Sequence, residues 1–120
     1  MRTPKYRVYI KHWGNSENDE LVYPKEGELH VYLRNWHLGA YKETIFQQFT
    51  GLHDKKGQEI YEGDLVKGMF MDTDYMNWET ITSEVVWIDI VAGFNLSSDL
   101  WDKTDLEVIG NIFENSEILK

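Results

Sequence analysis

The chain has 120 residues, no cysteine, 42% hydrophobic residues, five Trp, seven Tyr, five Phe and a net charge of −9. That length and aromatic content predict one domain with a core that needs no staples, and the missing cysteines exclude disulfides, thiolate metal sites and a cysteine nucleophile. No run approaches the roughly 18 apolar residues of a membrane span, and no apolar run follows Arg2, Lys5 and Arg7, so a soluble cytoplasmic protein is expected.

Along the chain, short alternating runs dominate. Tyr6, Val8 and Ile10 alternate with Arg7, Tyr9 and Lys11, the period of a half-buried strand. Leu29, Val31 and Leu33 alternate with His30, Tyr32 and Arg34 and predict a second strand, and Thr44 to Phe49 a third. Asp54 and Gly57 then predict a tight turn, the aspartate taking backbone donors two residues on and the glycine a positive φ. Glu62-Gly63-Asp64 punctuates again before a strand over Leu65 to Met71. The apolar run within Thr82 to Asp89 reads as a central strand buried on both faces, with further strands at Ala92 to Leu96 and Leu106 to Phe113. Gly110 marks an expected bulge.

Helix signals are few. Ser97 or Ser98 suits the cap of a single turn through Lys103, and Asn115 or Ser116 that of a last turn. No segment holds a 3.6-residue apolar period over three turns, Trp36 to Gln48 coming nearest. The expected class is therefore mainly β.

Charge divides the chain. Residues 1–67 hold ten Lys and Arg against ten Asp and Glu, whereas residues 68–120 hold two lysines against eleven acids. The second part is expected to repel phosphate. It reads as a solvated, solubilising face or, more sharply, as a patch that meets a basic partner or imitates nucleic acid.

No pattern of catalytic chemistry emerges. His12, His30, His37 and His53 are scattered without metal-ligand spacing. Asp72, Asp74, Asn77 and Glu79 imitate a calcium loop only weakly, because the central glycine is missing and the glutamate comes too early. There is no nucleophile elbow and no glycine-rich phosphate loop. Glu59, Glu62 and Asp64 could pair as acid and base, but a turn role explains them better. The expectation is a protein that is not an enzyme and uses no cofactor or metal.

Two binding surfaces are candidates. Met69, Met71, Tyr75, Met76 and Trp78 mix flexible thioethers with aromatics around an acidic turn, a composition favoured at adaptable protein interfaces. The same stretch also fits two strands that send these side chains into a core. The alternative surface is the basic first strand. Lys5, Arg7, Tyr9 and Lys11 fall on one face and would serve a nucleic-acid-associated module, unless they are simply a solvated outer face.

Three segments together resemble a known family. FTGLHDKKGQEIYEGDLVK over residues 49–67 is similar to the central signature of YopX-type proteins, small proteins of phages and prophages. LEVIGNIFENSEIL over residues 106–119 is similar to the family's closing segment, and KYRVY over residues 5–9 to its opening. Ser116 stands where the family usually has proline, and Gly68 to Thr82 follows no family pattern. The resemblance implies a phage-encoded cytoplasmic protein. It also implies an SH3-like small barrel over about residues 51–120, with an N-terminal β lobe over about residues 1–50, in a single family domain. It carries no catalytic or ligand-binding residue with it. The functional expectation is an accessory protein that binds a phage or host protein, or a second copy of itself, through the residue 69–78 region.

Overall fold

Alternation places Val8 and Ile10 of the first strand, β1 (Tyr6–Lys11), in the interior, where both are fully buried. The computed structural model describes residues 5–114, apart from the side chain of Ser16. It divides into two compact units, one ending at Phe49 and the other beginning at Thr50. The fold is mainly β with one short α-helix.

In the first unit β1 pairs antiparallel with β2 (Glu20–Val22) on one side and with the leading part of β3 (Glu43–His53) on the other. Val8 faces Val22 and Phe46, so the apolar positions of three strands meet. The strand expected at Thr44 to Phe49 is thus present. The strand expected at Leu29 to Leu33 is not: these residues begin the helix α1 (Leu29–His37). The alternation there is accidental. Leu29 and Tyr32, three residues apart, are half-buried on one side of the helix, while Val31 and Leu33 are exposed. Arg34 and His37 in the last turn suit the helix dipole. Gly39, at φ +81°, stops the helix, its N–H donating to the Trp36 carbonyl.

In the second unit the last residues of β3 neighbour β4 (Glu59–Tyr61) across the turn at Asp54. The Asp54 carboxylate accepts from the N–H groups of Lys56 and Gln58, both at 2.9 Å, and Gly57 lies at φ +84°. A second turn follows at Glu62-Gly63-Asp64. Asp64 is buried and accepts from the Tyr61 N–H at 2.8 Å, and Gly63 lies at φ +85°. Next come β5 (Asp64–Asp72), β6 (Asn77–Glu84) and, late in the chain, β9 (Glu107–Asn111), in the sheet order β6-β5-β9. Leu65 faces Gly110 but Val66 faces Val108. Ile109 is therefore the extra residue of a bulge beside Gly110, as the glycine suggested.

Ile60, Val66, Val85, Leu96 and Leu106 are fully buried in the core of this unit, with Phe94 and Trp101 beside them. Gly68 lets them close in: a Cβ there would stand 3.0 Å from Leu106 Cδ2 and 3.4 Å from Trp101 Cζ3. No central strand spans Thr82 to Asp89. That run splits between the end of β6, an edge strand, and β7 (Trp87–Ile88), and only Val85 within it is buried. An apolar run without periodicity does not reveal whether both faces are covered. β7 pairs with β8 (Gly93–Phe94), so the strand expected at Ala92 to Leu96 shrinks to two residues followed by a 3-10 turn at Asn95–Ser97. The helical turn expected over Asp99 to Lys103 is a non-helical bend, in which the Ser98 hydroxyl accepts from the Leu100 N–H. The turn expected at Asn115 or Ser116 lies outside the described residues.

Candidate functional site

The hairpin of β5 and β6 gathers the five interface candidates. Its register pairs Met71 with Trp78, Met69 with Thr80 and Lys67 with Thr82, so these six share the outer face. The Thr80 hydroxyl lies 3.1 Å from the Met69 sulfur. The opposite face holds Val66, Gly68 and Phe70 with Ile81, and it packs on the core. Met69 and Met71 are half-buried outside the core cluster and Trp78 is exposed, whereas Phe70 packs against that cluster. Its ring meets Trp101 edge-to-face at 5.1 Å.

At the tip, Asp72 Oδ1 accepts from the Asp74 N–H at 2.9 Å and the Tyr75 N–H at 3.3 Å. This is the local turn chemistry of aspartate. It leaves Tyr75 79% and Met76 75% exposed, with Trp78 46% exposed just behind them. Met76 sits at φ +55°, a left-handed conformation that costs a non-glycine residue about 1 kcal/mol. Neither the turn nor the core gains from a methionine in that corner.

The basic first strand is not an open platform. Arg7, expected on a solvated face, is only 2% exposed, and its Nε donates to Gln47 Oε1 at 2.7 Å. Alternation assigned the face correctly but could not show that Gln47, directly opposite on β3, shares a buried polar pair with it. Lys11 is paired with Glu43 at 3.2 Å. Lys5 is exposed, 5.6 Å from the centroid of the Phe49 ring, and Tyr9 is half-buried. The cations are thus engaged separately, without a common stacking surface.

Two further features were not read from the sequence. In the first unit an open hollow of about 460 Å³ is lined by His12, Trp13, Asn18, Glu20 and Ala40. His12 Nε2 lies 3.7 Å from the Glu20 carboxylate. In the second unit the β7–β8 hairpin exposes Ile90, Val91 and Trp87, Ile90 by 93%. Asp89 within the run and the Ala92-Gly93 turn were the available signals of a hairpin there. Among the described residues no group of three or more His, Asp or Glu is placed to hold a metal ion.

The central and closing segments that carry the family resemblance dock on each other. Asp54 Oδ2 accepts from the Val108 N–H at 3.1 Å, and the Lys55 N–H donates to the Leu106 carbonyl at 2.8 Å. Lys55 and Lys56 reach Glu107 at 3.4 and 3.2 Å, and these two lysines hold its carboxyl below the ordinary range. The Ile112 N–H donates to the Gly63 carbonyl at 3.0 Å. The signature residues are therefore occupied in architecture, whereas the β5–β6 tip is not.

Comparison with known proteins gives three findings. A family model described as "YopX protein" matches residues 5–120. A solved structure, the crystal structure of protein EF1440 from Enterococcus faecalis, is similar at 20% identity and a TM-score of 0.49, with all of both chains covered. No curated protein matches the chain.

Proposed function

The chain belongs to the YopX protein family, and on that premise we propose that it is a phage or prophage accessory protein acting as a non-catalytic protein-interaction module. It would work in the bacterial cytoplasm, and its second unit would be a small SH3-like barrel. The short antiparallel strands and the bulge beside Gly110 support that architecture. The binding surface in this reading is the outer face and tip of the β5–β6 hairpin, and its occupant is a protein.

One observation carries the reading. Tyr75, Met76 and Trp78 stand in solvent at a tip whose backbone accepts a left-handed methionine, and Met71 lies directly across from Trp78. Clustered aromatic and thioether side chains of this kind supply contact area at low entropic cost.

The double substitution Met76→Asp and Trp78→Ala removes this surface while leaving Phe70, Trp101 and the Asp72 turn in place. A weakening of partner binding or self-association by about thirtyfold or more is expected, for hot-spot losses of about 2 kcal/mol or above. Sedimentation velocity and quantitative pull-down read it, with circular dichroism to verify the fold. Unchanged assembly and unchanged capture by a folded variant would reject the surface.

A further inference from the structure

We propose that the open edge of β6 takes up an extended basic segment of a partner protein as an added β-strand. The inference rests on the hairpin reading above and names the mode of binding and the class of partner.

The edge is open and regular. β6 is the terminal strand of its sheet, eight residues long, and pairs with β5 at every position without a bulge. Natural edges are usually blunted by lysine, proline, a bulge or an inward charge. β6 reads Asn-Trp-Glu-Thr-Ile-Thr-Ser-Glu. It contains no lysine or proline, its one charge on the Phe70 side, Glu79, is exposed to solvent, and its centre is β-branched at Thr80, Ile81 and Thr82. Among the described residues no strand lies on its far side.

Neighbouring contacts show which backbone groups face outward. The Met69 carbonyl accepts from the Asp102 N–H at 2.9 Å, and the Met71 N–H donates to the Leu100 carbonyl at 2.8 Å. Both groups point away from β6. In an antiparallel ladder the residues opposite them then form non-hydrogen-bonded pairs. Those residues are Thr80 and Trp78. Their N–H and C=O groups, and by the same alternation those of Thr82, are directed to the open side. They form a row of donors and acceptors at the spacing of a strand.

Charge selects the occupant. Besides the buried Asp64, the hairpin carries Asp72, Asp74, Glu79 and Glu84 against Lys67 alone, and Glu79 is exposed on the strand itself. A second copy pairing through the same edge would bring these acids against their equals, which disfavours it. A segment alternating apolar with basic residues fits both faces. Its apolar side chains would extend the Met71–Trp78 face, and its Lys or Arg would lie beside Glu79. Main-chain bonds then supply affinity and alternate side chains specificity.

The test uses the full chain, labelled with nitrogen-15, and a peptide of alternating valine and lysine as long as β6. The expected result is that this peptide shifts the amide signals of Trp78, Thr80 and Thr82 and slows their exchange, while a valine–glutamate peptide does neither. A valine–lysine peptide with every second amide N-methylated should bind about tenfold more weakly, the loss expected from deleting main-chain bonds. Thr80→Pro should give a similar loss, because it removes an outward N–H at an edge position where proline is tolerated. The N-methylated peptide reads the same contact on the wild-type protein should that variant fold poorly. Absent shifts at these amides, equal affinity for the N-methylated peptide, or concentration-dependent protection of β6 without any peptide would each overturn the proposal. If the edge fails while Met76→Asp with Trp78→Ala still weakens association, the hairpin reading stands alone; if neither responds, both fall.

Discussion

Asp54→Ala should destabilise the protein by about 3 kcal/mol, a large fraction of the 5–15 kcal/mol available to a domain. One buried carboxylate accepts from the N–H groups of Lys56, Gln58 and Val108, at 2.9, 2.9 and 3.1 Å. Alanine leaves three backbone donors without their acceptor and removes one of the bonds that tie β9 to the turn. Burial by itself pushes this carboxyl up, but the three backbone donations and the Lys56 ammonium together outweigh it, so its pKa lies below the ordinary value. The sign of the pH dependence follows. A depressed folded-state pKa stabilises fully above the unfolded value of about 3.9 and is lost as pH falls through the folded value. In urea titrations the gap between wild type and Asp54→Ala should be constant from about pH 7 to 5 and shrink below about 4. A gap that does not change with acidity would show that the carboxylate charge contributes nothing.

Trp101→Ala should cost about 3–5 kcal/mol, the range for deleting a large buried aromatic. Trp101 is 6% exposed, meets Phe70 edge-to-face at 5.1 Å, and lies over Gly68, whose missing side chain makes room for it. Its backbone N–H donates to the Ser98 carbonyl at 3.2 Å and the neighbouring Asp102 N–H bonds to the Met69 carbonyl of β5, which fixes the backbone that aims the ring. The loss therefore opens a cavity under the hairpin that carries the proposed surface. Trp101→Phe, which keeps an aromatic edge against Phe70, should cost well under half as much. Denaturant unfolding followed by circular dichroism separates the two, and equal costs would show that the ring fills no volume that matters.

Local chemistry was legible in the sequence and distant pairing was not. The Asp54 turn could be read because its first two acceptances span two and four residues. The third reaches Val108, 54 positions away, and no turn rule contains it. The bulge beside Gly110 was visible as a glycine inside a strand pattern. α1 was misread because Leu29, Tyr32, Leu33 and Trp36 keep their helical spacing over only nine residues, and the three alternating apolar residues Leu29, Val31 and Leu33 then look like a strand. Arg7 was misplaced for a related reason: alternation tells which face a side chain takes, not whether that face is covered.

For the candidate site, composition pointed to Met69, Met71, Tyr75, Met76 and Trp78, but their common surface depends on register. The turn at Asp72 to Asn77 sets Met71 opposite Trp78. A shift by one residue would exchange the outer and core sets, putting Phe70 outside and Met71 within. The exposed β7–β8 tip escaped notice because a continuous apolar run resembles a buried strand until its pairing is known.

Three of the four methionines, Met69, Met71 and Met76, lie on the proposed surface, Met1 being the other. Biosynthetic replacement of methionine by a photoreactive diazirine analogue therefore places cross-linkers almost entirely on this hairpin. Irradiation of cells expressing the labelled chain, followed by mass mapping of the adducts, should give a protein partner joined through position 76 or 71. That adduct should disappear when Met76→Asp and Trp78→Ala are introduced. A folded, fully labelled chain that yields no protein adduct at these positions would contradict the claim that the hairpin is where this protein meets its partner.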